Sequence, residues 1–147
     1  WSSLVLSYCT FHRIYKIPAS PTAPATAPLF ANARINKRLE EGEVREVLEY
    51  MRKEGRAEQV GGGNGVEWWV WWRTPEEWAG RIYEWIDETA QKNTVLTLYE
   101  LTESEATLSQ EFHGMDPDLL QRVMGILVKR GKAQVFGQDD GQGVKFF

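Results

Sequence analysis

The strongest constraint on this chain is a repeat inside it. EVREVLEYMRKEGRAEQV, starting at Glu43, aligns with LLQRVMGILVKRGKAQVF, starting at Leu119, at an offset of 76 residues. Val44, Val47, Leu48 and Met51 fall on Leu120, Val123, Met124 and Leu127. Both sets recur at the spacing of one helix face. Gly55 falls on Gly131, where a glycine ends a helix by taking positive φ. Arg56 falls on Lys132 and Ala57 on Ala133. Each copy then runs through a short strand and a Gly-rich link into an aromatic strand, which is hairpin grammar. Each copy is also preceded by a helical pattern, over residues 2–16 and 75–90.

A fold must therefore place helix, short strand, short helix, helix and hairpin twice in succession. That order describes a winged helix, three helices against a small sheet whose hairpin is the wing. The predicted class is α+β with two tandem winged-helix domains, residues 1–73 and 74–147. In the first, IPASPTAPATAP over 17–28 is a loop carrying four prolines. A strand is predicted at 28–30, a short helix over 34–39, and hairpin strands over 57–60 and 66–72. Thr74-Pro75-Glu76-Glu77 opens the second domain with a capping threonine, a proline in the first helical position and a capping-box glutamate. A strand over 94–99, a short helix over 99–105, a polar loop over 106–113, a helix from Pro117 and strands over 133–136 and 144–147 complete it.

Composition narrows the function classes. Net charge is −4, an unpromising start for neutralising phosphates. Cys9 is the one cysteine, so an internal disulfide and a cysteine-based zinc site are excluded and a reducing compartment is expected. No apolar run approaches the ~18 residues of a membrane span. The start has neither a basic n-region nor a cleavage site, so it does not read as a signal peptide. It also lacks an initiator Met, which makes a longer parent protein the expectation.

Several segments look like sites and read better as scaffold. GGGNGVEWWVWWRTPEEW, Gly61 to Trp78, joins four glycines to five tryptophans. A P-loop would follow its glycines with Lys, Ser/Thr and a helix. Here Val66 and a strand follow, and Asn64-Gly65 suits a hairpin turn. The strand is apolar on both faces, so Trp69 and Trp71 form either an interdomain contact or a partner patch. His12 and His113 have no neighbours at metal-ligand spacing, and Asp139-Asp140-Gly141 lacks the rest of a calcium loop. No catalytic constellation, metal or cofactor is expected. PTAP at 21–24 matches a short adaptor motif that binds an ESCRT-I ubiquitin-E2-like domain, and within a Pro/Ala/Thr tract it reads as linker. The third helices, which in many winged helices enter a DNA groove, carry Glu43, Glu46, Glu49 and Glu54 in one copy and Asp116 and Asp118 at the start of the other. Protein binding is the stronger reading, with DNA binding or a transcription-associated role as the alternative.

Short motifs then converge. W-x-S-L-V-L-S-Y-C at the start, P-L-F at 28–30, R-x-P-E-E-W at 73–78, T-L-Y-E-L-T at 97–102, E-F-H-G at 111–114 and G-x-G-V-K-F-F at the end resemble the Vps-twenty-five subunit family of the ESCRT-II endosomal sorting complex. The resemblance covers nearly the whole chain, with the motifs in order. It implies tandem winged helices and a non-enzymatic role in sorting ubiquitinated membrane cargo into multivesicular bodies. It implies a cytoplasmic protein recruited to endosomal membrane. The implied partners are the two larger ESCRT-II subunits, held on the first-domain side, and the first helix of the ESCRT-III nucleating subunit, held by the second domain. Two copies join one of each larger subunit in the family's complex. The family's N-terminal P-P-x-aromatic segment is absent, because the sequence starts at Trp1. For the second domain, Tyr99, Phe112, Met115 and Phe146 are the expected partner-binding residues, chosen as apolar side chains in or beside loops and edges.

Overall fold

The computed structural model describes residues 1–20, 26–32, 37–62, 67–137 and 142–147. PTAP at 21–24, Asn64-Gly65 and Asp139-Asp140-Gly141 lie outside the described residues. Backbone packing divides the chain into two units, Trp1–Trp72 and Arg73–Phe147.

The first unit runs α1 (Ser2–His12), β1 (Lys16–Pro18), α2 (Ala27–Phe30), β2 (Ala31–Asn32), β3 (Lys37–Arg38), α3 (Glu41–Lys53), β4 (Ala57–Gln59) and β5 (Glu67–Val70). Its main sheet has the order β1-β5-β4, with both pairings antiparallel. The second unit runs α4 (Pro75–Glu88), β6 (Val95–Thr97), α5 (Leu98–Thr102), α6 (Pro117–Lys129), β7 (Ala133–Phe136) and β8 (Gly143–Phe146). Its sheet order, β6-β8-β7, is the same arrangement of the equivalent strands. Mixed helix and three-stranded sheet, twice over, is a tandem winged helix.

The repeat seen in the residues recurs bond for bond in the backbone. Gly55 at φ 77° and Gly131 at φ 70° end the third helices. Gly55 N–H donates to Arg52 C=O at 3.0 Å, and Gly131 N–H to Val128 C=O at 3.0 Å. Arg56 N–H reaches Met51 C=O at 2.8 Å, and Lys132 N–H reaches Leu127 C=O at 2.9 Å. Trp71 N–H then bonds Arg56 C=O at 2.8 Å, as Phe147 N–H bonds Lys132 C=O at 2.9 Å. The first helices match too, at an offset one residue longer. Arg13 and Ala90 both stop their helix in the left-handed region at φ 54°. Ile14 N–H donates to Cys9 C=O at 2.8 Å and Gln91 N–H to Ile86 C=O at 3.0 Å. These bonds satisfy carbonyls that a helix end leaves without partners.

Each unit has its own interior. Val5 and Cys9 of α1, Ile17, Phe30, Val44, Leu48 and Met51 of α3, and Trp68 and Val70 of β5 form the core of the first. In the second, Ile82 and Ile86 of α4, Leu119, Val123, Met124 and Leu127 of α6, and Val144 and Phe146 of β8 are buried. Each large aliphatic or aromatic side chain so buried contributes ~1.5–3 kcal/mol of transfer free energy. The start of α4 follows its signature: Thr74 Oγ1 accepts from Glu77 N–H at 3.2 Å, with Pro75 in the first helical position.

Several local expectations are corrected. The first helix stops at His12 rather than 16, because Arg13 turns left-handed and Lys16–Pro18 joins the sheet opposite Glu67–Trp69. Residues 28–30 belong to a helical turn, with Leu29 and Phe30 N–H both bonding Thr26 C=O at 3.0 and 3.2 Å. Of the helix predicted over 34–39, residues 34–36 lie outside the described residues, and Lys37 and Arg38 pair with Asn32 and Ala31 as a strand. The strand at 94–99 is cut at Thr97, whose hydroxyl accepts from Glu100 N–H at 3.0 Å and caps α5.

Candidate partner-binding site

In the second unit, the segment from Thr97 to Pro117 brings two helix starts together. Thr97 caps α5. Asp116 caps α6, its Oδ1 accepting from Asp118 N–H at 2.9 Å, and Pro117 occupies the first turn. Gly114 N–H bonds Thr102 C=O at 2.6 Å and closes the loop between the two helices. Inside that loop Thr107 is buried, donating to Ser104 C=O at 3.1 Å and meeting His113 Nδ1 at 2.9 Å. Glu111 anchors the same loop to the base of α4. Its carboxylate takes two bonds from Arg73, from Nε at 2.5 Å and Nη2 at 3.0 Å, and an ion pair from Arg81 at 3.5 Å. The hydrogen bond to Glu111 raises the Arg73 pKa above its ordinary value. These groups are about one-third exposed or more, so their pairing fixes position more than it adds stability.

A groove of about 320 Å³ lies between α5 and the start of α6. Leu98, Met115 and Leu120 line it, with Tyr99, Glu103 and Gln142 among its other walls. The side-chain amides of Gln121 and Gln142 bond each other at one end. Tyr99 is 67% exposed. An apolar trough with a protruding aromatic ring and amide and carboxylate neighbours suits an apolar helix face.

Of the four residues expected to meet a partner, the structure brings Tyr99 and Met115 to this groove. It corrects the exposure assumed for Phe112, Phe146 and Met115. Phe112 is buried, its ring edge-on to Trp85 at 5.7 Å and 71°. Phe146 is buried because β8 alternates, with Val144 and Phe146 both turned inward. Met115 is buried too, although it lines the groove. The period-two pattern of GVKF carried the signal for Phe146. Nothing in the polar run 106–113 marks Phe112.

Trp69 and Trp71 are 6% and 5% exposed. Their rings stack at 5.3 Å, 14° from parallel, and the Lys16 ammonium lies 4.6 Å from the Trp69 ring centre. Neither ring is open to a partner in the folded chain. Sequence reasoning missed a different exposed set, Trp1, Leu4, Phe11 and Tyr50 of the first unit. Its signal was available, since Ser2–His12 contains no Asp, Glu, Lys or Arg.

The third helices carry acidic first turns, Glu41 and Glu43 in α3 and Asp118 in α6, which disfavours laying either N-terminal end against phosphates. Among the described residues, no three His, Cys, Asp or Glu side chains gather to hold a metal, and no helix is long and apolar enough to cross a membrane.

Residues 1–116 match the family described as ESCRT-II complex subunit. The whole chain aligns with 82% of vacuolar protein-sorting-associated protein 25 from Rattus norvegicus at 40% identity and from Homo sapiens at 39%. The Dictyostelium discoideum protein of that name is 31% identical, again over the whole chain. Among solved structures, subunit VPS25 of the endosomal trafficking complex ESCRT-II superposes with a TM-score of 0.83 at 26% identity, covering 99% of this chain and 83% of that one. A chain of the ESCRT-II complex VPS22/VPS25/VPS36 gives a TM-score of 0.82 at 24% identity, covering 99% and 84%, a likeness of fold.

Proposed function

The chain belongs to the ESCRT-II complex subunit family of vacuolar protein sorting, and from that premise we propose that it is a non-catalytic adaptor in the sorting of ubiquitinated membrane cargo into multivesicular bodies. The first unit attaches to the two larger ESCRT-II subunits. The second offers its α5–α6 groove to the first helix of the ESCRT-III nucleating subunit. The protein works in the cytoplasm and reaches the endosomal membrane through the complex. The observation that carries this reading is the alignment of the whole chain with 82% of its relatives. The groove at Tyr99 adds a surface of fitting shape and polarity. Two copies per complex would raise the local concentration of the ESCRT-III partner without any new contact.

Co-purification tests both ends. The chain is expected to co-elute with the two larger ESCRT-II subunits. It is also expected to bind a labelled first helix of the ESCRT-III subunit, and Tyr99→Asp should weaken that binding by about tenfold, ~1.4 kcal/mol. Absence of binding to the helix at high micromolar concentration would overturn the ESCRT-III assignment.

A further inference from the structure

The two units are copies of one fold, so each shows what the other can hold. In the alignment that matches Arg13 with Ala90, Tyr83 of α4 stands where α1 has Leu6. Lys132 stands where the first unit has Arg56. In the second unit these two side chains meet. The Lys132 ammonium lies 4.7 Å from the centre of the Tyr83 ring, and Lys92 lies 5.0 Å from it. The Tyr83 hydroxyl donates to Phe147 C=O at 2.5 Å. A ring from the chain's own helix thus occupies the position, held by two cations and a hydrogen bond.

The first unit has the cation and the carbonyl without the ring. Trp71 C=O, the counterpart of Phe147 C=O, accepts from Arg56 Nη1 at 3.3 Å. Leu6 and Arg56, with Ser7, Thr10, Phe11 and Trp72, wall an open hollow of about 450 Å³. Its walls begin at Leu6, in the middle of α1. Trp72 is fixed in place, its Nε1–H donating to Ile14 C=O at 2.8 Å and its ring 5.5 Å from that of Tyr15. Phe11 is 83% exposed, where α4 carries the carboxylate of Glu88. Arg56 is the one charged residue among the six.

We infer that this hollow is a docking site for a tyrosine side chain presented by a protein partner. The second unit is the template: an aromatic ring against the first helix, with a cation from the residue after the glycine stop over its face. The apolar walls are Leu6, Phe11 and Trp72, and the cation is Arg56. The Trp71 carbonyl has a second lone pair for the phenol hydroxyl. The hollow is open to solvent, so a ring within it stays attached to a larger body outside, and membership of a family of complex subunits makes that body a protein. An aliphatic side chain would satisfy the walls and leave the cation without its π face, so the site separates aromatic from saturated occupants. It is distinct from the Tyr99 groove and does not depend on what that groove binds.

The test uses the full chain with methyl-labelled leucine, and p-cresol, which is the tyrosine side chain alone. Its saturated counterpart is 4-methylcyclohexanol. In NMR titrations p-cresol is expected to shift the Leu6 methyl signals and to bind at least about threefold tighter than 4-methylcyclohexanol, the ratio a solvent-exposed cation–π contact supplies. A dye-labelled peptide with one tyrosine among glycines and serines should likewise exceed the same peptide with cyclohexylalanine in fluorescence anisotropy. Arg56→Gln should bring each pair to equal affinity. Leu6→Tyr installs the second unit's own ring and should weaken p-cresol by about tenfold or more. Tyr83→Leu should open a second p-cresol site beside Lys132, and circular dichroism should show each variant folded. Equal affinity of the two probes for the unaltered chain, or p-cresol binding indifferent to Leu6→Tyr, would overturn the inference. So would self-association in sedimentation velocity that Leu6→Tyr abolishes, because the occupant would then be a second copy.

Discussion

Ala90 and Gly131 make a reciprocal experiment within the second unit. Both hold positive φ, 54° and 70°, and both follow a helix end. A Cβ built on Gly131 meets nothing within 4 Å, so alanine there encounters no neighbour. What remains is the clash of Cβ with its own backbone in the left-handed region, ~1–2 kcal/mol. Against it stands the lower entropy of the unfolded alanine chain, ~0.4–1 kcal/mol. Gly131→Ala should therefore destabilise the second unit by about 1 kcal/mol. Ala90 is exposed, so its methyl contributes little by burial. Ala90→Gly relieves the same strain and loses the same entropy, and should stabilise by about 0.5–1 kcal/mol. For a unit of this size 1 kcal/mol is about 4–8 °C in Tm. Urea melts with the midpoint read at constant slope, supported by calorimetry, would measure both. A stabilising Gly131→Ala, or an Ala90→Gly that lowers the midpoint, would refute the strain argument.

Phe112→Ala should cost ~3–5 kcal/mol, since it empties a buried site and removes an edge-on contact with Trp85; loss of near-ultraviolet circular dichroism together with a lowered melting temperature would show it. Burial pushes the Cys9 thiol from 9.0 up to about 12. The folded state thus keeps its proton where the unfolded thiol has lost one, so the associated stability is intact below pH 9 and declines as pH rises toward 12. Native protein at pH 8 should resist thiol reagents, and denaturant should expose Cys9 to stoichiometric labelling.

What the residues disclosed beforehand tracks how local each cause is. α3, α6 and their strands were legible because an apolar face, a glycine stop and a following strand sit within one short window, twice. α4 was legible from Thr74-Pro75 alone. The end of α1 was not, since Arg13 adopts positive φ without a glycine to announce it. Residues 28–30 and 37–38 were misread because Thr26 C=O turns Ala27–Phe30 into a helix and because β2 and β3 define each other only by pairing. Of the expected partner-binding residues, Tyr99 is exposed as assumed and Phe112 is buried. Its ring is drawn inward by Trp85, 27 positions earlier in the chain. The double-sided apolar run at Trp68–Trp72 left open whether Trp69 and Trp71 pack within the chain or meet a partner, and the structure buries both.

The matching hydrogen bonds of the two units carry a kinetic hazard. In one wing Ala57 pairs with Val70, and in the other Ala133 pairs with Phe146, at the same register. While the chain folds, each strand therefore meets two edges whose backbone spacing suits it, and tandem repeats are prone to such misassembly. Only side chains distinguish right from wrong. Trp68 stands where the other copy has Val144, and Val70 where it has Phe146, all four buried, so a crossed pairing would put a side chain of the wrong volume into each interior. The divergence between the halves thus doubles as a proofreading device for synthesis. A chain whose two wings were made identical in sequence should refold with a lower yield of monomer.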